Sequence, residues 1–476
     1  MRILSFDNRR FGVALAMIAM AAMWMAPLNL EPTAHRFCAV FVAVIVLWLT
    51  EAIPAGATGL FIAPLLIVSG VTDAKSAFAP YADPLLFLFV GGFFLAKAME
   101  RHGLDKRLAQ AVLSASSKRG NTQLASVGLL SATALLSAWI SNTATAALMM
   151  PIMLQIIDAS DNAPSSQRGA KSLLFVAYAA SIAGMMTPVG SPTNLIAMQY
   201  LAEAGLRFGF LDWIQVAAPI SLLMLGLMFA WVGRGVPRQT SAELSMTQLG
   251  VASQWNKGEQ VTALAFVMAV VGWLLPPLLV AFNIAKAETM ETLLPASVVA
   301  LLASVPLFII RADDEQPVLP WNDAMRIDWG VILLFGGGIA LGSQMIETGV
   351  AHTLSAKFIE VSHVQGLWAL TAVCIAFTLL FTEVCSNMAS ASMIVPLAIA
   401  AANELGVPVI PPALGVGLAA SCAFMLPIST GPNAIAYSTG RVSLRAMLRT
   451  GLMLELVSGV LIWLGLRALC PVFGWC

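Results

Sequence analysis

Ser141–Pro151 reads SNTATAALMMP, and Ser386–Pro396 reads SNMASASMIVP. Ser, Asn, Ala, a small hydroxyl residue, Ala and Pro recur at the same relative places. Downstream of each copy lies a second echo, TPVGSPTNLIA from Thr187 to Ala197 and LPISTGPNAIA from Leu426 to Ala436. Upstream, DPLLFLFVGGFFLAKAMERHG (Asp83–Gly103) parallels DWGVILLFGGGIALGSQMIETG (Asp328–Gly349), with a one-residue slip at the glycines. The chain is therefore two related halves, each running span, polar Ser-Asn element, Pro/Asn break, span. Polar, helix-breaking elements duplicated inside apolar sequence are the pattern of a transport site at a repeat interface.

Of the 476 residues, 59% are hydrophobic and 11% charged, with a mean hydropathy of +0.85. Soluble domains carry about 25% charged residues, so this is a polytopic membrane protein in contact with lipid. The zero net charge and the lack of a basic run leave no electrostatic footprint for nucleic acid. Phe11–Leu30 follows Arg2, Arg9 and Arg10 as a signal peptide would, but its length and lack of a cleavage pattern favour a retained first span. The six cysteines have no metal-ligand spacing and read as structural thiols.

Apolar runs at 11–30, 36–53, 57–72 and 83–99 give four crossings before the first Ser-Asn element. Thr122–Asp158 would make a helix ~55 Å long, more than one crossing needs. A re-entrant hairpin with Ser141 at its tip fits better, and Val364–Asn403 has the same shape around Thr382–Asn387. Five crossings lie between the hairpins: 171–201 (broken at Thr187–Asn194), 211–233, 261–281, 293–310 and 329–346. Then come 411–438, broken at Ser429–Asn433, and 448–470. An odd number between the hairpins makes them enter from opposite sides, so the repeats are inverted. With the N-terminus cytoplasmic, eighteen lysines and arginines fall inside and six outside, as the positive-inside rule requires. The expected fold is all-α, with about 11 transmembrane helices and two re-entrant hairpins. The expected divisions are scaffold helices at 1–120 and 234–363, and transport-domain halves at 121–233 and 364–476.

Carbonyls freed at a tip or break, with Ser, Thr and Asn oxygens, suit sodium. The N–H groups at half-helix N-termini suit an anion. Lys97 and Glu383 are the clearest deep ionisable residues, Glu51 and Glu455 being nearer helix ends or in late spans. His35, His102, His352 and His363 are expected in loops, which favours sodium over a proton relay. A lone Ser or Asn in a span is usually a packing hydrogen bond, and the glycines of the upstream repeat read first as close packing. Duplication of the Ser-Asn pair argues for a site. Glu383 is balanced between a functional carboxylate and a cap on backbone donors.

These motifs resemble the divalent anion/sodium symporter family of sodium-coupled di- and tricarboxylate and sulfate transporters. The likeness is carried by WLTEAIP (Trp48–Pro54), LSAWISNTAT (Leu136–Thr145), TPVGSPTN (Thr187–Asn194), TEVCSNMAS (Thr382–Ser390) and SCAFMLPISTGPNAIA (Ser421–Ala436). It implies a homodimer in which a transport domain carrying both hairpins moves elevator-fashion against a scaffold. It also implies one sodium at Ser137, Ser141, Asn142 and the Gly190 backbone, and another at Thr382, the Cys385 carbonyl, Asn387 and Ser429. Substrate would meet Ser141, Asn142 and Thr143 at one tip, Ser386, Asn387 and Met388 at the other, with Ser191 and Thr430 at the breaks. Met388 departs from the family, whose bacterial members commonly have Thr there, and STGPN replaces the usual ATPPN. The expected function is inner-membrane uptake of a C4-dicarboxylate such as succinate, malate or fumarate with sodium. A sodium-independent exchanger and a sulfate transporter are alternatives. An intramembrane hydrolase is disfavoured by the lack of a His-Glu-x-x-His pattern, and a channel by the duplication within one chain.

Overall fold

The computed structural model describes residues 6–117, 122–160, 167–235, 254–282, 284 and 293–476. In chain order its helices are α1 (Phe6–Met25), α2 (Pro32–Thr50), α3 (Ala55–Val68), α4 (Ala74–Phe78), α5 (Pro84–His102), α6 (Leu104–Ser117) and α7 (Thr122–Ser137). There follow α8 (Asn142–Ser160), α9 (Gln167–Gly184), α10 (Pro192–Glu203), α11 (Phe210–Gly235), α12 (Lys257–Ala281), α13 (Ala296–Ile309) and α14 (Trp321–Ala324). The last third holds α15 (Trp329–Glu347), α16 (Val350–Ser362), α17 (Leu367–Val384), α18 (Asn387–Glu404), α19 (Ile410–Ala419), α20 (Gly431–Ser438) and α21 (Leu444–Leu469). Among the described residues the only β pairing is one isolated bridge, Arg311 with Pro317. Seven described helices are long and apolar enough to cross a membrane.

Both hairpins form: α7 packs on α8 across the turn Ala138–Ser141, and α17 on α18 across Cys385–Ser386. Both breaks form too, between α9 and α10 and between α19 and α20. They lie upstream of where the sequence reading put them. The first runs over 185–191 and the second over 420–430, so Asn194 and Asn433 sit in the first turns of α10 and α20. Pro192 and Pro432 explain the shift, because proline lacks the N–H that the first helical turn leaves unpaired anyway. The first helix ends at Met25, short of the expected Leu30. Pro27 disfavours helical backbone at the residue before it. The histidines were expected in loops, yet His35 lies in the first turn of α2, His102 ends α5 and His352 is in α16. None is at a tip or break.

The upstream repeat is visible as matched caps. Asp83 accepts from Leu85 N–H at the start of α5, and Asp328 from Val331 N–H at the start of α15. Gly103 and Gly349 follow these helices with φ of 74° and 73°, the left-handed region where glycine has no steric penalty. Each leads into a short helix absent from the sequence reading: α6, packed on α7, and α16, packed on α18. The glycine run of α15 serves close packing, since a Cβ on Gly337 would lie 2.7 Å from Gly59 Cα on α3.

The two halves exchange partners. The first hairpin arm α8 packs on α20 of the second half, and α18 packs on α10 of the first. The broken helices also meet directly, Ser421 Oγ lying 3.1 Å from Ser191 Oγ and 2.7 Å from Thr193 Oγ1. All three side chains are buried.

Candidate transport site

A break buried in a membrane protein must find partners for its freed backbone groups, and here both breaks find them the same way. Asn194 Nδ2 donates to Gly184 O at 2.9 Å and Thr187 O at 2.7 Å. Asn433 Nδ2 donates to Ala423 O and Leu426 O, both at 3.0 Å. Met185 O accepts from Trp213 Nε1 at 2.8 Å, and Phe424 O accepts from the Tyr178 hydroxyl at 2.9 Å. Aligning the repeats pairs Gly184 with Ala423, Met185 with Phe424 and Thr187 with Leu426. Corresponding carbonyls are thus capped in both copies, by different side chains in the Trp213/Tyr178 case. Neither aromatic carried a sequence signal, because each reaches its carbonyl from a residue distant in the chain.

The copies differ again in how each break is tied to its tip. Thr187 Oγ1 donates to Ala138 O at 2.5 Å, tying the first break to the first tip. Leu426 has no hydroxyl, and Glu383, at the place of Ala138, takes over. Its carboxylate accepts from Met425 N–H (2.7 Å), Leu426 N–H (2.9 Å) and Ser429 Oγ (2.6 Å). Of its two balanced readings, capping of backbone donors is therefore realised.

The tips carry matched oxygen clusters. Ser137 Oγ lies at the end of α7, 2.7 Å from Asn142 Oδ1 and 2.9 Å from Ala180 O. Thr382 Oγ1 lies near the end of α17, 3.0 Å from Asn387 Oδ1 and 2.8 Å from Ala420 O. The inward end of the Asn142 amide is also 3.2 Å from Ala180 O and 3.3 Å from Gly190 O. With its nitrogen inward the amide donates to these oxygens. With its oxygen inward, several acceptors converge, an arrangement that favours a hard cation with oxygen ligands. Gly190 is required there, since a Cβ would stand 2.6 Å from Gly184 O and 2.8 Å from Ala138 O.

Of the remaining expected ligands, Ser141 and Thr143 are exposed at the first tip, and Ser386, Asn387 and Met388 are half-buried at the second. Ser386 caps α18 by accepting from Ala389 N–H. Cys385 is buried in extended backbone before it. Ser429 Oγ also lies 3.0 Å from Glu383 O, so its single proton is shared between that carbonyl and the carboxylate. Thr430 accepts from Asn433 N–H at the start of α20. Ser191 is buried, with its hydroxyl turned to Thr193 and Ser421. The structure thus gathers Ser137, Asn142 and Gly190 in one cluster, and Thr382 and Asn387 in another beside Glu383 and Ser429. The N-termini of α8 and α20 meet at Thr143 and Gly431. Tips and breaks hold no lysine or arginine, so an anion there would be met by amides, hydroxyls and helix N-termini. Among the described residues no three His, Cys, Asp or Glu side chains are grouped to hold a metal.

Duplicated hairpins and broken helices whose freed oxygens and N–H groups gather at the two tips define a membrane transport protein. A family model described as a citrate transporter matches residues 45–413, and the chain belongs to that family. The sodium-dependent dicarboxylate transporter SdcS of Staphylococcus aureus is 31% identical over 446 residues, covering 89% of this chain and 84% of that protein. An uncharacterized transporter of Haemophilus influenzae is 34% identical over 445 residues, covering 91% and 92%. The crystal structure of the Alcanivorax borkumensis YdaH transporter, described as having an unusual topology, covers 99% of this chain and 98% of its own at a TM-score of 0.53. Its 13% identity bears on the fold alone. The resemblance to sodium-coupled divalent-anion transporters is borne out, and the chain is a transporter, not an enzyme.

Proposed function

We propose that this protein couples inward sodium flow to uptake of a small dicarboxylate, a C4 acid such as succinate, malate or fumarate. The observation that carries this reading is the pair of matched oxygen clusters, Ser137–Asn142 and Thr382–Asn387, each at the base of a helix N-terminus. One sodium is held by Ser137, Ser141, Asn142 and the Gly190 backbone, the other by Thr382, the Cys385 carbonyl, Asn387 and Ser429. The substrate carboxylates meet Ser141, Asn142 and Thr143 on one side and Ser386, Asn387 and Met388 on the other, with Ser191 and Thr430 at the breaks. Cations next to helix N-termini offset the charge of a dianion that no lysine or arginine neutralises. The sodium dependence of the Staphylococcus aureus relative supports the coupling, and its dicarboxylate substrate supports the acid class.

In the same proposal the two halves are inverted repeats, exchange of partners between α8–α20 and α10–α18 being the contact pattern a pseudo-two-fold axis produces. Residues 121–233 and 364–476 form a transport domain that moves elevator-fashion against a scaffold of 1–120 and 234–363. The protein is an inner-membrane homodimer with a cytoplasmic N-terminus. The test is uptake of labelled succinate into proteoliposomes with and without an inward sodium gradient, with citrate and sulfate as competitors. Uptake that ignores sodium removes the coupling. Competition by sulfate but not by dicarboxylates replaces the substrate class.

A further inference from the structure

Glu455 lies midway along α21, a helix of 26 residues, and its side chain is 3% exposed. A buried carboxyl at such a depth is costly unless it has a partner and a task. Gly451, Glu455 and Ser458 fall at i, i+4 and i+7, one face of the helix, and that face runs along the second break. A Cβ on Gly451 would collide with Phe424 O, so α21 approaches the break backbone as closely as two chains can. One turn on, the Glu455 carboxyl faces that of Glu383. Ser458 follows beside the Cys422 thiol.

The hydrogen bonding of this group is lopsided. Glu383 accepts from two backbone N–H groups and from Ser429, which leaves its carboxylate with acceptor capacity to spare. Such an acceptor-only role is that of an ionised carboxylate. Glu455 Oε2 and Ser458 Oγ are both buried and both lack a hydrogen-bond partner. Ser458 is fully buried. The other titratable groups facing Glu455 are Tyr178 from α9 and Cys422 after α19, neither of which carries positive charge. A proton shared between the two carboxyls would satisfy one contact and leave the Ser458 hydroxyl with only the weakly hydrogen-bonding Cys422 thiol beside it. A metal cation ligated by several oxygens would engage both carboxylates and the hydroxyl together, and would supply the missing positive charge.

We infer that Glu455, Ser458 and Glu383 form a third cation site, distinct from the two tip clusters and taking sodium. This rests on the sodium-coupled reading above. The site lies along the second break, where the Glu383 carboxylate already accepts from Met425, Leu426 and Ser429. An ion there neutralises the carboxylate that holds Met425, Leu426 and Ser429 in place, and so couples sodium occupancy to the shape of the break.

The experiment is thermal melting of the purified protein in detergent, without substrate, against sodium chloride replaced by choline chloride at constant ionic strength. The rise of the melting temperature with the logarithm of sodium concentration scales with the number of ions bound to the folded state, so removing one of three lowers it by about a third. The expected result is that reduction in Ser458→Ala and in Glu455→Gln. Ser458→Ala removes one buried oxygen and decides the matter if Glu455→Gln fails to fold. An unchanged sodium response in folded Ser458→Ala overturns the site. So does a Glu455→Gln variant that keeps the sodium response but loses a pH dependence seen in the unsubstituted protein, the mark of a shared proton. No sodium response in the unsubstituted protein sinks this site and the coupling reading together, whereas a full response in the variants sinks the site alone.

Discussion

Thr143 fills the space that a side chain at Gly431 would need. A Cβ on Gly431 would meet Thr143 Oγ1, with Cγ2 at 2.8 Å and Cβ at 3.0 Å. The contact joins the first residues of two helices from opposite halves, so it sets the distance between the first tip and the second break. Thr143 is β-branched and has few rotamers in which to retreat. Gly431→Ala should destabilise the protein by about 1–3 kcal/mol, the range for overpacking a fitted contact. Combining it with Thr143→Ala, which removes the two closest atoms, should recover most of that loss. Melting temperatures of the two single variants and the double variant measure the coupling, and strict additivity would show that the residues do not touch.

Asn142 and Asn387 each stand at the centre of an oxygen cluster while contributing little to the core. Asn142→Ala and Asn387→Ala should leave the protein folded and abolish sodium-driven uptake. Losing one such ligand costs about 1–3 kcal/mol, or roughly tenfold to a hundredfold in ion affinity. Labelled-succinate uptake, with size-exclusion profiles as the folding control, checks this. Full activity in either variant would remove that asparagine from the site.

Asn194 and Asn433 should behave oppositely, because their amides hold break carbonyls and do not face a ligand. Each Ala substitution removes two hydrogen bonds, Thr187 O and Leu426 O keeping only the Gly190 and Ser429 N–H groups, and should cost about 1–3 kcal/mol of stability. The losses should be similar in the two copies. Melting temperatures falling together, with or without sodium, is the expected outcome.

Asp105 begins α6, outside the spans, where Lys106 N–H donates to its Oδ1 at 2.8 Å. Burial pushes its carboxyl above the usual range, the Lys106 hydrogen bond opposing this only in part. A carboxyl whose pKa is raised on folding contributes stability that is complete below the unfolded value and lost as pH rises through the folded one. Melting temperature should therefore decline from about pH 4 upward as this group ionises. Asp105→Asn should lack that part of the decline and gain most, relative to the unsubstituted protein, near neutrality. Parallel melting curves for the two proteins across pH would contradict it.

Much of the architecture was legible in the chain because membrane burial forces apolar runs of fixed length and makes every polar interruption costly. Both hairpins, both breaks and the glycine-capped upstream repeat follow from that constraint acting twice on related sequence. The break boundaries were misplaced because a Pro/Gly/Ser/Thr cluster reads as irregular throughout, whereas Pro192 and Pro432 in fact open helices. The short helices α6 and α16 escaped notice because they are not long apolar runs.

Sequence alone, then, determined which residues would be polar at membrane depth and that they would come in pairs: Ser137 with Thr382, Asn142 with Asn387, Asn194 with Asn433. Only the tertiary structure decided what each polar group does. Trp213 and Tyr178 cap equivalent carbonyls from unrelated positions, Glu383 replaces a missing threonine hydroxyl, and Glu455 comes to face Glu383 from a helix more than sixty residues later. The physical reason is that a hydrogen bond or an ion pair depends on distances of a few ångströms between groups far apart in the chain, which hydropathy and local spacing do not encode.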